Sequence, residues 1–471
     1  MTTDTAPVKK NVLDDDRIGL LLFKMTLPAF VGMSVITLYN VVNTIFVGRF
    51  VGSGAIAGLS IVFPIQMLGM GVGMMAGMGG ASLISRLIGA SNKQAAEKAL
   101  GNALAIILLL SAIIIIAGLA NTDFWLRLVG ASEDIISYAR DYLRIILFGM
   151  FLQTLAMSLN SLVISQGSAR IAMTAQIIGA VANIILDAFF IILLGWGVKG
   201  AALGTVIAQL LSVIFFAVYF WSGKSYLAIR PKNFLFDWNI IKGILSIGIS
   251  GMAMTLASSL SAVFVNRMLV THGGSIAVSA FGILNRIMMF ATMPGISIGQ
   301  GLQPILGFNY GSRRFDRALK ALKTAILSST TLCLLAFLLL YFIPEVFIRI
   351  FTTESELIEL SARAARYMFV TMYLVGFIMI GSTMFQALGK AKQAFLTSIS
   401  RPFLFLFPLV LLLPHFFKLN GVWLAYPVTD FLTFIMVLIL FVPQVKELSK
   451  TRPLTSSEVQ LHRTQTQSYL K

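Results

Sequence analysis

Cysteine, histidine and acidic residues are scarce in this chain of 471 residues, and each scarcity removes a class of function. The single cysteine, Cys333, lies inside an apolar run, so no internal disulfide can form. The three histidines, His272, His415 and His462, lie far apart, and none stands in a metal-ligand spacing. Only 12% of residues are charged, whereas soluble domains carry about 25%. The N-terminal stretch MTTDTAPVKKNVLDDDR is polar and has no cleavable signal pattern, so the first apolar stretch is expected to persist as a membrane span. These absences argue against a soluble enzyme, a disordered chain and a fibrous protein.

What the chain has in abundance is apolar side chains: 57% are hydrophobic, and the mean hydropathy is +0.88. The expected fold is an all-α polytopic membrane protein. Twelve apolar stretches of roughly 20 or more residues fall near 19–48, 54–88, 99–121, 133–164, 170–194, 200–222, 240–270, 277–309, 319–343, 357–388, 393–414 and 421–443. They imply an N-tail at 1–18, an N-lobe at 19–222, a linker at 223–239, a C-lobe at 240–443 and a C-tail at 444–471. On a soluble protein the net charge of +17 would suggest nucleic acid; here it is read as basic loops, with no nucleic-acid partner. Of 36 Lys and Arg residues, 25 fall in the tails and the even-numbered breaks, among them Lys9, Lys10, Arg86, Lys98, Arg230, Arg313, Arg314, Lys390, Arg452, Arg463 and Lys471. The opposite breaks carry Asp123, Glu133, Glu345, Glu354 and Glu359. By the positive-inside rule both termini are cytoplasmic. All five tryptophans sit at span ends, with Trp125, Trp196 and Trp423 on the outer side and Trp221 and Trp238 on the inner.

Shifting the chain by 222 residues aligns its halves without a gap. Gly73 and Gly77 then lie over Gly295 and Gly299, Gly89 over Gly311, Lys98 over Lys320, and Gly167 over Gly389. Six spans per half is an even number, so the lobes are expected to share one orientation about an axis along the membrane normal. Gly71-x-Gly73-x-x-Ala76 has the look of a dinucleotide-binding fingerprint, but that motif follows a strand and this one lies in an apolar span. Small residues at every fourth position instead permit close helix packing.

Ionisable groups inside the hydrocarbon are costly and are functional candidates by default. Asp187 stands within the fifth span, with Asn183 one turn and Gln176 nearly three turns before it on the same face. Counted from the span ends, Asn43, Tyr142, Asn183, Asp187 and Thr205 all fall in the outer half of the first lobe. An aspartate among hydroxyl and amide oxygens suits a proton or a hard cation such as Na+. A network that only locks helices together is the alternative. The repeat favours a specialised site, because positions 187 and 183 map to the apolar Leu409 and Phe405. Asp430, in the twelfth span, is read as pairing with a basic group of its own half, where Arg267, Arg286 and Arg401 are at hand.

Several dispersed segments resemble the MATE (multidrug and toxic compound extrusion) transporters: LYNVVNTIFVGR at 38–49, ASLISRLIGAS at 81–91, NIILDAFFI at 183–191, GWGVKGAALGTVIAQ at 195–209, GQGLQPILGFNYG at 299–311 and WLAYPVTD at 423–430. The resemblance implies twelve helices in two pseudo-symmetric six-helix lobes around a central cavity, with no enzymatic activity and no cofactor. It implies export of amphipathic or cationic small molecules against inward H+ or Na+ flow, by a monomer in the plasma (inner) membrane among its lipids. Asp187 and Asn183 match the family's first-lobe cation site and would hold Na+ if that is the coupling ion; Tyr142 and Thr205 contribute. Asn43 stands where the family usually has an acid, which leaves Asp187 as the sole titrating group. Ala188 stands where proline is common, and Pro28 would let the first helix bend. Tyr39, Asn40, Gln153, Asn160 and Gln176 are the candidates for substrate contact, and the 22 methionines suit an adaptable cavity. A flippase for a lipid-linked precursor is the second transporter reading. An integral-membrane lipid-modifying enzyme would need convergent His, Cys or acidic groups at one membrane face, and the sequence has none.

Overall fold

A computed structural model describes residues 11–50, 53–129 and 133–450. Lys9, Lys10, Arg452, Arg463 and Lys471 of the charge count lie outside the described residues. Among the described residues the chain is helical, with no strand. The helices run α1 (Ile18–Phe50), α2 (Ser53–Gly89), α3 (Lys93–Ala120), α4 (Thr122–Leu128), α5 (Glu133–Ile164), α6 (Ala169–Asp187), α7 (Gly197–Trp221), α8 (Trp238–Gly311), α9 (Phe315–Phe342), α10 (Pro344–Ile348), α11 (Ser355–Met368), α12 (Met372–Leu388), α13 (Ala391–Ile399) and α14 (Phe407–Lys450). π-Helical stretches, Ala188–Leu193 and Ser400–Leu406, prolong α6 and α13.

Hydrocarbon offers no water to satisfy backbone groups, and a helix pairs each of them internally. Among the described residues nine helices are long and apolar enough to cross a membrane, or ten if α11 and α12, bent by 53° at their junction, form one span. Two of the nine, Trp238–Gly311 (74 residues) and Ala391–Lys450 (60 residues), far exceed the roughly 20 residues that one crossing needs. Each contains one residue with non-helical backbone: Gly274 (φ 65°, ψ −163°) and Lys418 (φ 49°, ψ −132°).

The 222-residue offset of the sequence recurs in the fold. Helix starts at Lys93, Thr122, Glu133 and Ala169 are matched at Phe315, Pro344, Ser355 and Ala391. Left-handed residues match as well, Ser91 with Arg313 and Gly167 with Gly389. So do side-chain contacts. A Cβ at Gly73 would meet the Met157 sulfur at 3.4 Å, and one at Gly295 the Met379 sulfur at 3.0 Å. Gly77 faces Ser161 as Gly299 faces Thr383. The Gly-rich face of α2 therefore serves helix packing, with Ser158 Oγ donating to the Gly73 carbonyl at 2.9 Å.

Where the termini and the linker lie, here called the termini face, α2 and α8 cross backbone to backbone. A Cβ at Gly89 would lie 2.0 Å from the Phe308 carbonyl oxygen, and one at Gly311 would lie 2.0 Å from that of Arg86. Residues 86 and 308 are themselves 222 apart, so the crossing is reciprocal. Only glycine permits it.

One reading of the sequence is corrected, and three segments gain detail from packing. Trp423 is not an interfacial anchor; it is 1% exposed and packs beside Phe281, with ring centroids 6.5 Å apart. Residues 11–17 of the N-tail pack onto the bundle before α1. Leu13 is fully buried against Gly167, while the neighbouring acids bind the residues that follow α8 and open α9: Asp14 pairs with Arg314 and Arg317, Asp16 with Arg317 at 3.2 Å, and Arg317 donates to the Asp15 carbonyl at 2.6 Å. α14 continues through Lys450, past the expected start of the C-tail. The linker is strapped to α3: Asn102 donates to the carbonyls of Asn233 and Leu235 and accepts from the Asp237 amide.

Candidate cation site and central cavity

Asp187 closes α6 at the point where the helix widens into the π-helical Ala188–Leu193, a distortion common at functional positions. Its side chain is fully buried. Asn183, one turn earlier and 2% exposed, donates from Nδ2 to Asp187 Oδ1 at 3.5 Å and to Thr205 Oγ1 at 3.4 Å. Thr205 donates onward to the Ala201 carbonyl at 3.0 Å. Gly204 lets α7 lie against the carboxylate, since a Cβ there would come 2.3 Å from Asp187 Oδ1. Tyr142, buried on α5, lies within electrostatic reach of Asp187, as does Tyr39 of α1.

Two acceptors of this cluster, Asp187 Oδ2 and Asn183 Oδ1, are buried with no hydrogen-bond partner. An unpaired polar atom in the interior costs about 1–3 kcal/mol, and a carboxylate oxygen costs more unless it is protonated or faces a cation. The cluster is a set of oxygen acceptors short of one positive charge. Among the described residues no group of three or more His, Cys, Asp or Glu is placed to hold a metal ion.

The structure thus brings Asn183, Asp187 and Thr205 into contact, with Tyr142 beside them. Asn43 is half-buried on α1, and among the described residues no hydrogen bond ties it to the cluster. Tyr39, expected to contact substrate, is half-buried on α1 within electrostatic reach of Asp187. Gln176 donates to Asn160 Oδ1 at 2.9 Å, and its own Oε1 is buried and unpartnered beneath α1, where a Cβ at Gly32 would meet it at 1.9 Å.

A cavity of about 660 Å³ opens between the two halves. Seven methionines line it: Met33, Met74, Met78, Met157, Met254, Met288 and Met379. Asn160 lines it too; Tyr39, Asn40, Gln153 and Gln176 are not among its lining residues. Asn40 is exposed and donates to the Ile36 carbonyl, and Gln153 is half-buried on α5. Much of the polar lining comes from the second half, including Asn285, Gln303, Arg401 and Asp430. Arg401, within the π-helical Ser400–Leu406, donates from Nε to Asp430 Oδ1 at 2.6 Å, the pairing expected for that aspartate. That the pair faces the cavity was signalled only by two opposite charges in apolar spans of one half. On α8, Pro304 is the last lining residue before the reciprocal crossing at Phe308 and Gly311, which floors the cavity.

The MatE family model matches residues 28–189 and 249–412, one segment in each half. The multidrug export protein MepA of Staphylococcus aureus (strain MRSA252) is 23% identical over 401 residues, covering 85% of this chain and 88% of that protein. MepA of Staphylococcus haemolyticus (strain JCSC1435) is 26% identical over 409 residues, covering 87% and 90%. Among solved structures, the outward-facing conformation of a multidrug resistance MATE family transporter is 27% identical with a TM-score of 0.87, covering 93% of this chain and 98% of that one. The bent conformation of a MATE protein matches with the same identity, TM-score and coverage. Matched by the family model in both halves and by solved relatives over nearly its whole length, this chain belongs to the MatE family of multi-pass membrane transporters.

Proposed function

We propose that this protein exports amphipathic and cationic small molecules in exchange for inward-flowing H+ or Na+, by alternating access. The observation that carries the coupling role is the pair of buried, unpartnered oxygens, Asp187 Oδ2 and Asn183 Oδ1, in a cluster with no positive charge of its own. Occupied from outside by a proton or Na+, the site loses its electrostatic penalty; emptied, it favours another packing of α1, α6 and α7. Coupling follows because cation and substrate favour different states, and a ligand with equal affinity for both shifts nothing. Tyr142 and Thr205 shape the site, and Asn43 supplies at most a carbonyl oxygen.

On this reading the chain crosses the membrane twelve times, in two six-helix lobes. The breaks at Gly274 and Lys418 support that count, since each divides a helix of more than twice the length of one crossing, and position 196, 222 residues before Lys418, lies between helices of the first half. The termini face is cytoplasmic, in keeping with its Lys and Arg excess, and the floored cavity corresponds to an outward-facing state. The methionine lining suits varied apolar bodies. The protein works as a monomer among plasma-membrane lipids.

Transport by purified protein in proteoliposomes tests this, with a Na+ gradient and a pH gradient imposed separately. One gradient should drive export of a fluorescent lipophilic cation, and Asp187→Asn should abolish gradient-driven export while the protein still inserts. Full gradient-driven export by Asp187→Asn sinks the assignment. Export under neither gradient sinks the antiport mechanism.

A further inference from the structure

We propose that Arg401 forms a substrate-specificity site on the second half, which receives the carboxylate of an amphipathic substrate. This rests on the reading that the cavity carries the transported compound. Among the described residues Arg401 is the only basic residue lining the cavity, and Asp430 the only acidic one. The pair is unevenly presented: the Asp430 side chain is 3% exposed and that of Arg401 30%.

Both oxygens of Asp430 are engaged. Oδ1 accepts from Arg401 Nε at 2.6 Å, while Oδ2 accepts from Arg401 Nη2 at 3.5 Å and from Thr371 Oγ1 at 3.3 Å. Arg401 has spent one edge of its guanidinium on this carboxylate. Among the described residues Nη1 makes no hydrogen bond, so the end of the fork remains open on the cavity side. A planar guanidinium can hold a second carboxylate on that end, in charge-assisted bonds of fixed geometry. A cationic substrate group would have to displace Arg401 from Asp430 and leave a cation unpaired in a poorly solvated place.

Two further groups of the same wall are short of partners. Thr429, beside Asp430 and 1% exposed, has a buried Oγ1 with no hydrogen bond, and so has Gln303 at Nε2. Both atoms lie beneath the cavity surface, so they can donate to a ligand oxygen only after their side chains turn toward the cavity. Met254, Met288 and Met379 of the cavity wall supply a deformable apolar surface for the rest of the molecule. The substrate class this describes is an aromatic or aliphatic body bearing a carboxylate.

The test uses the full chain in proteoliposomes and one rhodamine-type dye in two forms, free carboxylate and dimethylamide, the tertiary amide being unable to close to a colourless spirolactam. Wild-type protein should export the carboxylate form with a KM about 10- to 100-fold lower than the amide. The charge-balanced pair Arg401→Gln with Asp430→Asn should bring the ratio of the carboxylate KM to the amide KM to about one. Arg401→Lys keeps the charge but not the fork, and should cut the KM ratio about tenfold; it serves if the double variant does not reconstitute. Equal KM values for the two dyes in wild type, or an unchanged ratio in the variants, overturn the site. Gradient-driven amide export by wild type shows that the transport reading survives such a result, and its absence counts against transport itself.

Discussion

Adding one methyl group at Gly311 should open the termini face of the molecule. The new Cβ would lie 2.0 Å from the Arg86 carbonyl oxygen, where ordinary contact begins near 3.4 Å, so α2 and α8 must part by about 1.4 Å. The obstructing atom is backbone and cannot rotate away, and the Arg86 guanidinium is itself packed against Gly389. Overpacking of this kind costs about 1–3 kcal/mol, which is roughly a 5- to 150-fold change in the ratio of closed to open molecules. A cysteine placed on the cavity wall by Ser258→Cys, with the buried Cys333 replaced by alanine, reports the opening through its reaction with a membrane-impermeant maleimide supplied at the termini face. The labelling rate should rise by that factor in Gly311→Ala and equally in Gly89→Ala. The double variant should gain less than the sum, because the first methyl has already parted the helices. Gly282→Ala, where the added Cβ meets nothing within 4 Å, is the control and should label at the parental rate. Parental labelling in both crossing variants would refute the claim that this backbone contact closes the face.

Gly204→Ala should displace the Asp187 carboxylate, since the new Cβ would lie 2.3 Å from Oδ1; gradient-driven export should fall at least tenfold while substrate binding, measured by fluorescence quenching, persists. Leu13→Ala removes a fully buried side chain from the strap before α1, a change worth about 2–5 kcal/mol in a packed core. Amides 11–17 should then lose their protection in hydrogen exchange, and unchanged protection would count against docking. Asp123, in the first turn of α4, is held below the usual carboxylate value of 3.8, chiefly by the two-point bond from Arg140 at 2.6 and 2.8 Å. A carboxylate lowered in the folded state contributes stability above its unfolded value and loses it as pH falls through the folded one. Asp123→Asn should therefore weaken exchange protection of α4 at pH 7, lose that effect as pH falls through the lowered folded-state value of Asp123, and leave the pH profile of transport between about 6 and 8 unaltered.

The membrane-spanning stretches were legible because hydropathy and length are local properties. Asp187, Asn183 and Thr205 were legible as a group because a four-residue helical spacing and a depth count suffice to bring them together. The repeat was legible from a few glycines, and its contacts followed, since Gly73 and Gly295 meet methionines at equivalent positions. What escaped depends on packing between distant segments. No local pattern says that Gly32 seats on Gln176, that Leu13 is buried at Gly167, or that Trp423 turns inward to Phe281. The cavity wall escaped for the same reason: of the five residues put forward for substrate, Asn160 lines it, while the second half contributes polar groups that no motif marks.

The helix α1 is one continuous element from Ile18 to Phe50, and its two ends have different company. Tyr39 stands within electrostatic reach of Asp187, and the strap of Leu13 to Asp16 precedes the first turn. Between Ile18 and Tyr39 lie 21 residue steps, about 32 Å of helix with Pro28 partway along it, so α1 runs from the strap at the termini face to the neighbourhood of Asp187 on α6. Thermodynamic reciprocity then governs the two ends: to whatever extent occupancy at Asp187 loosens the strap, a tightened strap must weaken occupancy at Asp187 by the same factor. To that extent a ligand that grips Asp14 and Asp16 would shift the affinity of a site about 30 Å away without touching it.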